Sequence, residues 1–595
     1  MLFIVKLKVK EILYSGKSWV VFYIFSILSI FFCYKIFINF SYLGTRCWDQ
    51  FVFWNAVPRI TILQFRQFPL WNPYVNGGNV LLAHPHSPFL SPLYTLVILF
   101  GPVIGLKLQL VLHLIIGMIG MYLLGAYYSF AKLARYLIAF LYMGSSVYFL
   151  HMAEGHTEWF VMAFVPWLIY CYLKSFEKKY YIISGIFFLS LIFLGGSVDV
   201  FTILLVLMPI FALLKSIQNK AIKPLEMLIY IYVGTFLLCA IKIIPMLEFI
   251  INYPRFADSN DCIRLSTLIR MLIDRNQALY NVLDKEILIK LFGIKFRWHE
   301  YGSYIGIIPL LFAITGPFFG FKKYWPVIVM ALVSLFVSLG YCSPINLWSL
   351  LHKMPIYNNL KVHSRFIMGF IFFSSILSGL TFSKLEQFYI KRKKPLRIIP
   401  IAILVFIFFD IWNTNAPLLK NASLIPPIRM EKSISFVQKY KKANFLNIRN
   451  SLSSLYPILL SNAGNLEGKE VMNIIRGSAM IVSEDGYRGE AYLYNKKGNA
   501  TIEYFSPNKI VVNVNALEQD ILVLNQNFHK GWKAKAGRFI YNTQEKEGLL
   551  SFPINKGQAK IVLFYLPGSF LIGSVLSLLF VIFLILRARY FFDEL

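Results

Sequence analysis

Apolar runs closed by polar or basic residues recur along most of the chain. Many are about 17–25 residues long, the length that crosses a bilayer core as a helix. They lie near 18–40, 104–128, 136–152, 159–173, 181–196, 200–214, 227–247, 303–321, 325–340, 366–384, 398–413 and 568–586. A further stretch near 89–102 carries Pro92 and Pro102 and reads as re-entrant or interfacial. The pattern predicts an α-helical polytopic membrane protein with about twelve transmembrane helices.

The turns between runs alternate in character. Lys6, Lys8, Lys10 and Lys17 precede the first run. Lys132 and Arg135, Lys174 to Lys179, Lys215 to Lys223, Lys322 and Lys323, Lys391 to Lys394, and Arg587 and Arg589 mark every second turn after it. That bias places both termini in the cytoplasm. The first run is long and has no small-residue cleavage site after it, so it reads as an anchor rather than a signal peptide. Lys35 and Lys107, inside apolar runs, read as snorkelling to the interface.

From about 414 to 563 the runs shorten and alternate with polar residues, as in Lys509-Ile510-Val511-Val512-Asn513-Val514. Gly, Asn and Asp punctuate them, which predicts a β-rich extracytoplasmic domain. The expected organisation is a transmembrane domain over 1–413, with outer loops at 41–88 and 250–302. The β-rich domain follows over 414–563, then a final helix and cytoplasmic tail over 564–595. The loop 41–88 is aromatic and turn-rich, a composition suited to short elements at a membrane surface.

Composition agrees. The 595 residues are 57% hydrophobic and only 15% charged, where soluble domains run near a quarter charged. The net charge of +30 does not indicate nucleic acid, because many of the cations flank apolar runs as topology requires. Six cysteines form no CxxC pair. Cys47, Cys262 and Cys342 fall in outer loops, where a disulfide is open to any pair of them.

The candidate chemistry lies in those outer loops, where ionisable groups are costly to bury beside lipid. The first holds Arg46, Asp49, Arg59, Arg66, His84 and His86. The second holds His151, Glu154, His156 and Glu158. Later ones hold Arg297, His299, Glu300, His363 and Arg365. No P-loop, GxGxxG or HExxH motif is present. A reaction at the outer face needs an activated group carried in the membrane, such as a polyprenyl-phosphate sugar. Its transfer needs a carboxylate to take the acceptor's proton and cations to stabilise the departing phosphate. Asp49 suits the first role. Arg365, with His156 and Arg66, suits the second. Glu154 with His151 or His156 could orient the donor or hold a divalent metal, and Glu300 is a further supporting residue. Simpler readings stand beside these. Asp49 could be a turn residue or an N-cap, Glu154 and its histidines solvated turn residues, and Arg365 a snorkelling cation.

Several blocks taken in order resemble a known family. They are Phe68-Pro69-Leu70-Trp71-Asn72-Pro73-Tyr74 with Gly77-Gly78, then Pro85 and Pro88 to Pro92; Gly155-His156; Glu300-Tyr301-Gly302-Ser303-Tyr304-Ile305-Gly306; and Ser364-Arg365-Phe366. Ser506-Pro507-Asn508-Lys509-Ile510, Gly531-Trp532-Lys533-Ala534 and Pro567-Gly568-Ser569-Phe570 complete the set. They are similar to the YfhO-like bacterial membrane proteins, of the multi-span (C-type, GT-C) glycosyltransferases. The resemblance implies transfer from a polyprenyl-phosphate sugar to an extracytoplasmic glycan or lipid acceptor in a bacterial cytoplasmic membrane. It also implies that Asp49 takes the place of the first-loop catalytic acid. Many C-type enzymes carry a paired acidic motif there, whereas Asp49 stands between Trp48 and Gln50. Two rival readings remain: a lipid-linked glycan flippase or exporter, and a cell-envelope assembly scaffold that presents the β-rich domain.

Overall fold

The computed structural model describes residues 18–254, 260–392, 394–444, 446, 453–468, 472, 474 and 476–593. The four N-terminal lysines and Lys393 lie outside them. Every expected apolar run that they cover is helical. Seven helices are long and apolar enough to cross a membrane, or eight with the pair Lys223–Leu238 and Ala240–Asn252, which is bent by 82°. Trp19–Phe32, Tyr181–Leu194 and Ile307–Phe319 are apolar but shorter. Among the described residues seven or eight spans thus stand where about twelve were expected; the other runs form shorter helices, with Val165–Ser175 at 159–173. The most apolar stretch of His363–Ile390 is wholly buried in protein, whereas that of Gly568–Arg587 is only 11% buried and rides on the periphery. It packs through Gly573, where an added Cβ would meet the Ala240 carbonyl oxygen at 2.4 Å.

The helices have two distinct ends. At one, Gln218 Nε2 donates to the carbonyls of Lys322 and Lys323. Glu386 accepts from the free amides of Leu133 and Ala134 at 3.1 and 3.0 Å, satisfying donors that a helix start leaves open. This end carries the basic turns. The other end carries residues 41–92 and the β-rich region.

Lys107 does not snorkel. Its side chain is fully buried, and Nζ donates to the carbonyls of Asn39, Phe40 and Tyr42 and to Ser423 Oγ at 2.6–3.2 Å. It collects carbonyls where the helix Tyr34–Ile38 ends, the place a cation is favoured. Lys242 is equally buried and holds the carbonyls of Pro85 and Ser87 at 3.0 and 2.7 Å. A hydropathy pattern cannot distinguish a lysine that reaches out from one that is satisfied in place.

The β-rich region is built on two antiparallel sheets. The first has five strands in the order Phe539–Asn542, Trp532–Ala536, Gly557–Tyr565, Lys509–Ala516 and Gly498–Ser506. The second has four: Gln544–Lys546, Leu549–Ile554, Asp520–Asn527 and Ala491–Leu493. Ile510, Val512, Val514 and Ala516 are buried at every second position, as a half-covered strand requires. They share a core with Leu522, Leu524, Leu550 and Phe552 of the second sheet.

This region grips the first loop. Trp71 packs on Trp532 and Tyr565, with ring centroids 5.6 and 4.9 Å apart, and donates Nε1 to Gln526. Gly77 and Gly78 turn with φ of +70° and +105°, a region open to glycine. A Cβ on Gly78 would strike Trp71 at 2.8 Å. The buried Asn527 amide donates to the carbonyls of Asn76 and Gly78. The short pair Trp71–Asn72 and Asn79–Val80 is thereby held as part of the β-rich layer.

Glu490 lies inside that layer and accepts from Gln438 N and Tyr487 Oη, each at 2.8 Å. Burial pushes its carboxyl up to about 7, against the bonds from Gln438, Tyr487 and Asn525. A raised carboxyl contributes stability that is present below its unfolded value and is lost as pH rises through the folded one. The thermal midpoint of the β-rich region should therefore fall as pH rises from about 5 to about 8. Glu490→Gln should flatten that dependence in a melting series; an unchanged slope would show that other groups set it.

Candidate functional site

The helix spanning Lys132–Glu154 ends at Gly155, whose φ is +91°. A Cβ there would come within 2.5 Å of Trp48 N. This close approach seats the turn 155–158 against the start of the first-loop helix, Cys47–Leu63. Trp48 Nε1 donates to Met152 O at 3.1 Å. Arg46 pairs with the buried Glu154 at 2.5 Å, and Asn281 Nδ2 donates to the same carboxylate oxygen at 2.9 Å. Glu154 is thus neither a solvated turn residue nor a member of a metal-sized cluster.

Asp49 stands in the first turn of that helix and is 3% exposed. Its Oδ2 accepts from Leu455 N at 2.8 Å and its Oδ1 from Tyr456 N at 2.9 Å. These amides open the helix Leu455–Leu460. The carboxylate therefore caps a helix of the 420–567 segment, and a helix N-terminus favours a negative charge. Arg66 follows the far end of the first-loop helix, is exposed, and has φ +53°. At 1.5 Å per residue it lies about 20 Å or more along the axis from Asp49, and it does not join the site.

Behind the first-loop helix the other candidates converge. Phe51 contacts the ring of His156 at 5.7 Å. His151 Nδ1 and His156 Nδ1 are 3.0 Å apart, sharing one proton in a hydrogen bond. His151 stacks flat on Trp159 at 3.9 Å. The rings of His156 and His299 meet edge-on at 4.9 Å. Burial lowers His156 to about 3, so its imidazole is neutral.

Arg365 ties this group to two carboxylates. Nε and Nη2 grip Glu300 at 2.8 and 2.7 Å, and Nη1 reaches Asp199 at 2.7 Å. Burial alone would raise the Glu300 carboxyl. Arg365 overrides it and holds the group well below the usual carboxylate range. Glu158 is the reverse case. Burial, then the neighbouring Asp199, pushes its carboxyl well above that range. Its Oε2 has no hydrogen-bonding partner among the described residues. The Arg365 guanidinium is committed to carboxylates, so it is neither a snorkelling cation nor a free phosphate ligand. Asp199 was missing from the sequence candidates. Its only signal is position, in the turn Gly195-Gly196-Ser197-Val198-Asp199 on the same side as the other loops.

A second layer fixes Arg365. Ser364 Oγ donates to Glu300 O at 2.5 Å. His363 Nδ1 bonds Ser338 O at 2.7 Å, and its Nε2 lies 3.6 Å from Asp261, which also accepts from Tyr301 Oη. Next to Asp261, Cys262 forms a disulfide with Cys342, with Cα atoms 5.0 Å apart across 80 residues. Of the three loop cysteines these are the pair; Cys47 is free. Closing so long a loop removes about 4 kcal/mol of unfolded-chain freedom in the entropic account. Cys262→Ser should accordingly lower the thermal midpoint of the purified protein, and reduction should lower it equally. A midpoint unmoved by both would mean that the packing around Asp261 suffices.

Three ligand-type atoms, one each from His156, His299 and Glu300, lie within 4.8 Å of one another, and all three residues are buried. His151 and Glu154, expected near any metal, are outside this trio. Beside the site, Trp54 stacks on His86 at 5.2 Å with planes 4° apart. A crevice lined by Trp54, Asn72, Asn79, His84 and Ser87 adjoins them.

No family model and no curated protein matches the chain. The likeness to YfhO-like proteins therefore rests on the sequence blocks alone. Among solved structures the chain is similar to a single-particle cryo-EM structure of the arabinofuranosyltransferase AftD from mycobacteria, at 10% identity and a TM-score of 0.49. The match covers 76% of this chain and 32% of that one. The chain thus spans about a third of that protein's length, and a likeness of this size assigns neither fold family nor activity.

Proposed function

We propose that the chain is a multi-span membrane glycosyltransferase of the C-type. It moves a sugar from a polyprenyl-phosphate donor to an extracytoplasmic glycan or lipid acceptor. The observation that carries this reading is the gathering of Asp49, His151, His156, Glu158, Asp199, His299, Glu300 and Arg365 at one end of the helices, beneath the first loop. The basic turns gather at the other end, which supports that end as the cytoplasmic one. The clustered end then faces outward, where soluble nucleotide sugars are absent and a lipid-borne donor is required.

In this reading Asp49 is the general base. It receives the acceptor's proton on a carboxylate oxygen as the acceptor oxygen bonds to the anomeric carbon. The bond from that carbon to phosphate breaks, and polyprenyl phosphate leaves. A base must be ionised at rest. Asp49 faces two amides of a helix N-terminus, a place that favours negative charge. Burial, then Asp199, pushes the Glu158 carboxyl the other way. The acceptor hydroxyl docks at the Asp49 carboxylate. Arg365 positions Glu300 and Asp199 around the donor subsite, and His156 lines it.

The exporter reading requires ionisable groups along a path through the helices. Those found within the helices are satisfied locally: Lys107 by carbonyls, Glu386 by two amides, and Asp410 by Arg275 and Tyr304. This favours an enzyme. The test is sugar transfer by purified full-length protein supplied with pooled lipid-linked sugars. Lipid translocation without transfer would favour the exporter.

A further inference from the structure

We infer that His156, His299 and Glu300 form a binding site for one divalent first-row cation, with zinc preferred over magnesium. Two imidazoles and one carboxylate are a donor set suited to zinc, and three protein ligands leave a coordination position open. The residues come from separate segments, the turn after one span and the short helix Trp298–Glu300, brought together by packing.

Four observations converge. The ligand atoms already lie within 4.8 Å of one another. Donors around a tetrahedral zinc sit about 3.4 Å apart, so side-chain rotation alone can close the set. His156 Nδ1 is engaged by His151 Nδ1 at 3.0 Å. With the shared proton on His156 Nδ1 its Nε2 is left to ligate, the arrangement by which an outer partner orients a metal-bound histidine. His299 Nδ1 is buried without a hydrogen-bonding partner among the described residues, a costly state that ligation through this nitrogen would relieve. Glu300 is oriented by its two-pronged bond to Arg365 and keeps lone pairs free for a cation.

Charge points the same way. Around the trio, Arg365 faces Glu300 and Asp199, so the three sum to one negative charge before Glu158 is counted. Among the described residues Arg365 is committed to carboxylates, Arg46 to Glu154, and Lys242 to carbonyls. This field disfavours a phosphate on its own. A divalent ion reverses its sign and presents an open position to an anionic oxygen. That last role rests on the transferase reading; the binding site itself does not.

The experiment strips purified full-length protein with chelator and titrates it with zinc chloride alone. Calorimetry and elemental analysis read the stoichiometry. About one ion per chain is expected, with a rise in thermal midpoint. His156→Asn, His299→Asn and Glu300→Gln should each weaken binding by at least about 10-fold, while His352→Asn should not. If His299→Asn fails to fold, His299→Cys supplies a thiolate ligand and should restore binding. No stoichiometric ion, or equal affinity in wild type and all three variants, would overturn the site. Binding without sugar transfer would leave the site standing and sink only the enzymatic reading.

Discussion

Asp49→Asn should lower sugar transfer by about 10²–10⁴-fold, the range lost with a general base, while the protein still accumulates in membranes. The amide oxygen can accept one of the two backbone bonds from Leu455 and Tyr456. The structural loss is then that of part of a helix cap, about 1 kcal/mol. Glu158→Gln is the matched control. Burial and Asp199 push its carboxyl toward the protonated form, so an isosteric amide should leave transfer within a few-fold of wild type. The pair separates two accounts. If Glu158→Gln abolishes transfer and Asp49→Asn does not, the base belongs to the inner cluster and Asp49 is only a cap.

Arg365→Ala should be the most destabilising single change at the site. It would leave Glu300 and Asp199 facing each other without their cation in a region where both are largely buried. Breaking a buried pair from one side costs about 3–5 kcal/mol. The partial exposure of Arg365, 20% of its side chain, places the expected loss toward the lower figure. The measurement is the thermal midpoint of purified protein. Adding Glu300→Gln and Asp199→Asn to Arg365→Ala should recover part of the loss, because the unpaired charges go with them. Arg365→Lys should stay intermediate, since one ammonium cannot reproduce the three-pronged contact. An Arg365→Ala protein as stable as wild type would mean that water already screens this cluster.

The helices were legible because hydropathy reports the environment of one residue at a time. Each apolar run from 18 onward produced a helix, and the alternation near 509–516 produced a strand. Pairwise facts were not legible. Arg365 at the start of a span looks the same in sequence whether it reaches for headgroups or grips Glu300 and Asp199. Lys107 looks the same whether it snorkels or collects the carbonyls of Asn39, Phe40 and Tyr42. His156 and His299 belong to different loops, and nothing in their spacing announces that their rings touch. The tight joining of the β-rich region to the first loop was equally invisible. Its agents, Asn527 and Trp71, read as an ordinary strand residue and an interfacial aromatic. The position of Asp49 past the first span was legible; that its carboxylate caps a helix as far along the chain as Leu455–Leu460 was not.

The central claim is that this buried cluster serves transfer of a lipid-borne sugar. Its most direct test is the movement of label from sugar-labelled polyprenyl-phosphate donors to envelope acceptor, catalysed by purified, disulfide-intact protein. The account predicts transfer by the wild type and none above background by Asp49→Asn. Transfer that is unchanged in that variant, or absent from the folded wild type with every donor in the pool, would contradict it.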